Sequence, residues 1–152
     1  MDKARKVDTS KLLTMIRRSG DFAEVDKCLE ELPDSKGLGE YLYQLMEKYK
    51  MQPKDVIQLS GIERSYFYHI LSGQKSPGRN ILLRVCFCLS ANLDETNQAL
   101  KYASHGPLYP KVRRDALIIY AITHKYDMRQ VNAKLIEQGE LPLFQEGRMN
   151  ES

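Results

Sequence analysis

No stretch of this 152-residue chain reaches the roughly 18 apolar residues that a membrane-spanning helix needs. Its first residues, MDKARKVDTSK, are charged and lead into no apolar h-region, so the expectation is a cytoplasmic protein without membrane contact. Cysteine is scarce. Cys28, Cys86 and Cys88 cannot build a disulfide framework, and the latter two, two apart on an apolar helix, point to different faces as buried thiols in a reducing compartment. An excess of one charge is also missing: 23 Lys and Arg against 20 Asp and Glu leave only +3, so any affinity for nucleic acid or a membrane surface has to come from local patterning. Catalytic signatures are absent too. There is no HExxH, GxSxG, GxGxxG or GxxxxGK[ST], and His69, His105 and His124 are scattered with no metal-ligand spacing to the cysteines. The loop GQKSPG at 73–78 follows a helix, not a strand, and so is not a phosphate cradle. The expectation is a non-enzyme that needs no metal or small-molecule cofactor. Internal repeats and low-complexity tracts are likewise missing.

What is present is enough apolar material, 42% of positions, to bury the core of one domain. Pro and Gly cluster at 33–39, 73–78 and 106–110, and the segments between them carry a helical period, which predicts an all-α fold. Over 1–36, Leu12, Met15 and Ile16 share one helix face that Gly20 ends. Asp21 and Glu24 have capping-box spacing before a second helix with Phe22, Val25, Leu29 and Leu32 aligned, which Pro33 ends. With eight basic and eight acidic residues, this part reads as an N-terminal helical appendage. Leu38, Leu42, Leu45, Met46 and Tyr49 mark a one-sided core helix. Pro53 opens a short helix carrying Val56, Ile57 and Leu59, which Gly61 stops. From about Glu63 to Ser72 a helix buries Phe67, Ile70 and Leu71 and leaves Arg64, Ser65, Tyr68 and His69 on its other side. RNILLRVCFCLS at 79–90 is apolar on nearly every face and reads as the central helix of a bundle, and Asn92 with Glu95 opens the next.

Residues 38–92, with Val56-Ile57, the turn Gly61-Ile62, core positions Phe67 and Ile70, the Gly73-x-Lys75-x-Pro77 loop and LLRVCFCLSANL in register, resemble the lambda-repressor and Cro-like (XRE) helix-turn-helix family. The resemblance implies a lambda-repressor-like bundle of about five helices over 37–104, with extra N- and C-terminal helices. It also implies a cytoplasmic bacterial transcriptional regulator that binds double-stranded DNA sequence-specifically, usually as a homodimer on a two-fold operator. Carried onto this sequence, it puts Arg64, Ser65, Tyr68 and His69 at the base edges of the major groove, with Arg64 able to present its fork to guanine O6 and N7 together. Gln52, Lys54, Lys75 and Arg79 would lie against phosphates. The chain departs from the family pattern in three ways. Pro53 stands where a phosphate-contacting Gln is common. Glu63 replaces the usual Ser or Thr cap and would face phosphates. Tyr66, Tyr68 and His69 make the outer face unusually aromatic.

That aromatic surface with a basic rim also suits a protein partner, so the alternative is an adaptor or antitoxin-like module using the tyrosine-rich helix or the N-terminal helices. The segment 101–134 holds seven basic residues against two acidic ones. Lys111, Arg113 and Arg114 there make either a second basic contact to phosphate or a solvated helix start. ALIIYAI behind them either packs on the bundle or forms a dimer contact, which reads 105–139 as a C-terminal helical extension. Asp127 and Gln130 cap the last helix, which Gly139 ends, and 140–152 read as a frayed tail.

Overall fold

The computed structural model describes residues 9–30 and 37–145, without the side chains of 9 and 28–30. The expectations for Cys28, Leu29, Leu32, Pro33 and residues 146–152 therefore lie outside the described residues. Those described are all-helical: α1 (Thr9–Arg18), α2 (Phe22–Glu30), α3 (Leu38–Lys48), α4 (Pro53–Ser60), α5 (Arg64–Ser72), α6 (Arg79–Leu89), α7 (Leu93–Tyr102), α8 (Arg113–Thr123) and α9 (Met128–Glu137). The chain divides into two compact units, 1–36 and 37–152.

In the first unit Asp21 caps α2 as its spacing predicts, but the capping box is not closed, because the Glu24 carboxylate turns to Gly20 and not to the Asp21 N–H. The Glu24 N–H donates to Asp21 Oδ1 (2.9 Å), and Glu24 Oε1 accepts from the Gly20 N–H (2.6 Å). Leu12, Ile16 and Val25 are half-buried, whereas Leu13, Met15 and Phe22 are exposed.

The second unit is built around α6, whose residues 81–87 and Leu89 are all buried. Around it α3, α4, α5, α7, α8 and α9 contribute to one hydrophobic cluster, which holds Leu42, Leu45, Val56, Phe67, Ile70, Leu82, Val85 and Leu89 together as expected. α3 crosses α5 so closely at Gly39 that an added Cβ would lie 1.9 Å from the Leu71 carbonyl oxygen, a position only glycine can fill. The capping boxes at Asn92/Glu95 and Asp127/Gln130 are both formed. Glu95 also accepts from Lys48 Nζ and from the Tyr49 hydroxyl (2.6 Å), which ties the end of α3 to the start of α7. On α8 and α9, Ile118, Ala121, Ile122, Val131 and Leu135 are buried in the same cluster.

Two expectations are corrected. Leu59 does not belong to the core: it is exposed, because Val56 and Ser60 take the inward positions of α4. The expected frayed tail is also packed over its described part, 140–145, where Leu143 and Phe144 are buried. Asn132 holds them, its Oδ1 accepting from the N–H groups of Leu143 (2.6 Å) and Phe144 (3.2 Å) while its Nδ2 donates to the Phe144 carbonyl (3.1 Å).

Candidate nucleic-acid interface

α4 and α5 are joined by three residues, 61–63. Gly61 has φ +73°, the left-handed conformation that stops α4 and that glycine adopts without steric cost. Its N–H still bonds the Ile57 carbonyl (3.1 Å). Ile62 is buried, and Glu63 caps α5 by accepting the Tyr66 N–H at Oε1 (2.9 Å). The Ser65 hydroxyl donates to the same carboxylate (2.9 Å). These bonds, that of the Tyr66 N–H foremost, hold the Glu63 carboxyl below the usual carboxylate range. The carboxylate is thus turned onto its own helix terminus, where a negative group is favourable.

α5 packs inward through Phe67, Ile70 and Leu71. Arg64, Ser65 and Tyr68 are exposed on the other side and His69 is half-buried. The Arg64 guanidinium lies 5.3 Å from the Tyr68 ring centre, a cation–π arrangement. Gln52, Lys54 and Lys75 are exposed. The Lys75 N–H bonds the His69 carbonyl (3.1 Å), folding the following loop back on the helix end. Across 48–79 there are six basic residues and two acidic ones. Lys48 is paired with Glu95 and Arg79 with Asp115, while Lys50, Lys54, Arg64 and Lys75 form no ion pair among the described residues.

The other arginines singled out by sequence are differently placed. Arg79 spends its donors inside the chain, on the Gly106 carbonyl (2.7 Å), the Pro107 carbonyl (3.3 Å) and Asp115 Oδ2 (3.1 Å). Arg113 donates to the Gln138 carbonyl (3.0 Å) and to Glu140 Oε2 (2.8 Å). Arg114 donates to the carbonyls of Leu141 (2.8 Å) and Pro142 (3.3 Å) and to Asn80 Oδ1 (2.9 Å). Of the second basic group only Lys111 stands exposed without such bonds.

Arg84 escaped the sequence reading. It is fully buried in α6, its Nη2 donating to the Ser60 carbonyl (2.8 Å) and its guanidinium 5.6 Å from the Phe144 ring centre. Burial lowers its pKa from the ordinary arginine value. A cation inside the otherwise apolar run ILLRVCF was the available signal. Cys86 is buried and Cys88 half-buried, and burial pushes both thiols up to about 12. Among the described residues no three His, Cys, Asp or Glu side chains come together as a metal site, and no helix is long and apolar enough to cross a membrane. Comparison with known protein families, curated proteins and solved structures finds no match.

Proposed function

We propose that this chain is a sequence-specific double-stranded-DNA-binding regulator that reads the major groove with α5 and acts as a homodimer. The observation that carries the reading is the outer face of α5. It follows α4 after a three-residue turn, presents Arg64, Ser65 and Tyr68 to solvent, and is bracketed along the chain by the exposed cations Lys50, Lys54 and Lys75, which form no ion pair among the described residues. A helix of this kind fits the groove, its first turn meeting base edges while cations on flanking segments hold phosphate. Arg79, Arg113 and Arg114, whose donors are taken by the chain itself, are left out of the proposed contact set. Glu63 does not oppose it, since its charge is engaged at the Tyr66 N–H and the Ser65 hydroxyl.

The test is selection of bound duplex from random fragments by the purified full chain, followed by binding at several salt concentrations. Arg64→Ala is expected to cost about 1–3 kcal/mol on the selected site and to relax one position of it. Lys75→Ala is expected to weaken all duplexes alike and reduce the salt slope by about one. A wild type that selects no duplex sinks the proposal. The second reading, a protein partner held by α5, is favoured by the Arg64–Tyr68 stack on an exposed helix face. It requires binding that survives high salt and fails in Tyr68→Ala.

A further inference from the structure

Three side chains that the proposed binding face does not use converge on the segment after α9. Arg114, at the start of α8, holds the carbonyls of Leu141 and Pro142. Asn132 of α9 holds the backbone of Leu143 and Phe144. Phe144, so fixed, sets its ring 5.6 Å from the buried Arg84 guanidinium. Arg84 in turn donates to the carbonyl of Ser60, the last residue of α4, at 2.8 Å. Inside the turn the Ser60 hydroxyl accepts the Ile62 N–H (3.2 Å). A buried path of contacts therefore runs from residues 141–145 to the turn that aims α5.

We propose that residues 141–145 form a strap that sets the α4–α5 turn, with Arg84 as the positioning residue between them. The last carbonyls of a helix lack intrahelical partners and sit at the negative end of its dipole, so a guanidinium there makes a charge-assisted bond that fixes the helix end. The arginine stem is long, and without cover the charged head is drawn to water. The Phe144 ring excludes that water and attracts the cation with its face. When the strap lifts, Arg84 hydrates, the Ser60 carbonyl loses this donor, and the turn loses a fixed point. Any group that competes for Asn132 or displaces Phe144 would then act on α5 from outside its exposed face. The consequence for DNA rests on the reading of α5 given above. The coupling itself does not.

Amide hydrogen exchange on the full chain tests it, comparing wild type, Phe144→Leu, Arg84→Met and the double variant. Leucine keeps an apolar, smaller side chain in place of Phe144 but has no ring face. Phe144→Leu is expected to speed exchange at Gly61 and Ile62 about tenfold or more, to leave α3 and α7 at wild-type rates, and to add nothing in the Arg84→Met background. The proposal is overturned by unchanged exchange in the turn, by equal acceleration in α3 and α7, or by the same increment when Arg84 is already Met. If Arg84→Met does not fold, exchange of the Arg84 Nε proton decides. It should be slow in wild type and fast in Phe144→Leu, and equal rates refute the path. Phe144→Leu should also weaken the duplex selected by wild type. If wild type selects none, the DNA reading fails and the exchange measurements alone judge the strap.

Discussion

Glu63 illustrates how one side chain changes meaning with its neighbours. As a free carboxylate in front of α5 it would repel phosphate, but its oxygens are turned to the Tyr66 N–H and the Ser65 hydroxyl, and it serves as the cap of that helix. Other residues are set by burial. Phe67 is fully buried, so Phe67→Ala should cost roughly 3–5 kcal/mol in urea unfolding, and a smaller loss would mean that the core collapses around the gap. Cys86, Cys88 and Tyr41 are all pushed up to about 12, chiefly by burial, from ordinary values of 9.0, 9.0 and 10.0. The unfolded chain releases these protons first, so it binds fewer protons than the native state above about pH 9, and stability should fall as pH rises from there towards 12. Urea midpoints between pH 8 and 11 check the sign. A flat profile would contradict it.

At the scale of elements, the turn between α4 and α5 depends on a left-handed residue. Gly61→Val places a β-branched side chain at φ +73°, and the expected loss is at least about 1–2 kcal/mol, read as a lower urea midpoint at unchanged slope. The basic start of α8 has a different role from the one its composition suggests. Arg113 and Arg114 gather the chain from Gln138 to Pro142 against the bundle, with acceptors supplied chiefly by carbonyls. A guanidinium with five donors satisfies several such carbonyls at once, which a lysine cannot match geometrically.

For the whole molecule, α8 and α9 extend the cluster around α6 and still leave Val112, Tyr120 and Ile136 exposed. A recognition helix reads too few base pairs to be specific alone, and two-fold pairing at half-sites about 34–36 Å apart is the general remedy. The proposed regulator is therefore expected to sediment as a dimer at micromolar concentration, with Tyr120→Glu or Ile136→Glu shifting it to monomer. A wild-type chain that sediments as a monomer both alone and with its selected duplex would count against the homodimer.

The sequence by itself determined the helices, their caps and most of the core. Asp21 with Glu24, Asn92 with Glu95, and Asp127 with Gln130 act across three residues, and Leu42, Leu45, Phe67 and Ile70 face inward because the helical period puts them there. Gly61 was legible for the same reason, since a reversal between two helices within three residues demands a left-handed position. Only the tertiary structure decided where the arginines go. The hydrogen-bond partners described for Arg79, Arg84, Arg113 and Arg114 lie from 24 to 36 residues away along the chain. Most are backbone carbonyls, which every residue carries and which leave no mark in a sequence. Leu59 was decided there as well, since a residue at the edge of a helix stripe is buried or exposed according to what the neighbouring element brings. In α4 the inward place went to Ser60, whose carbonyl receives Arg84.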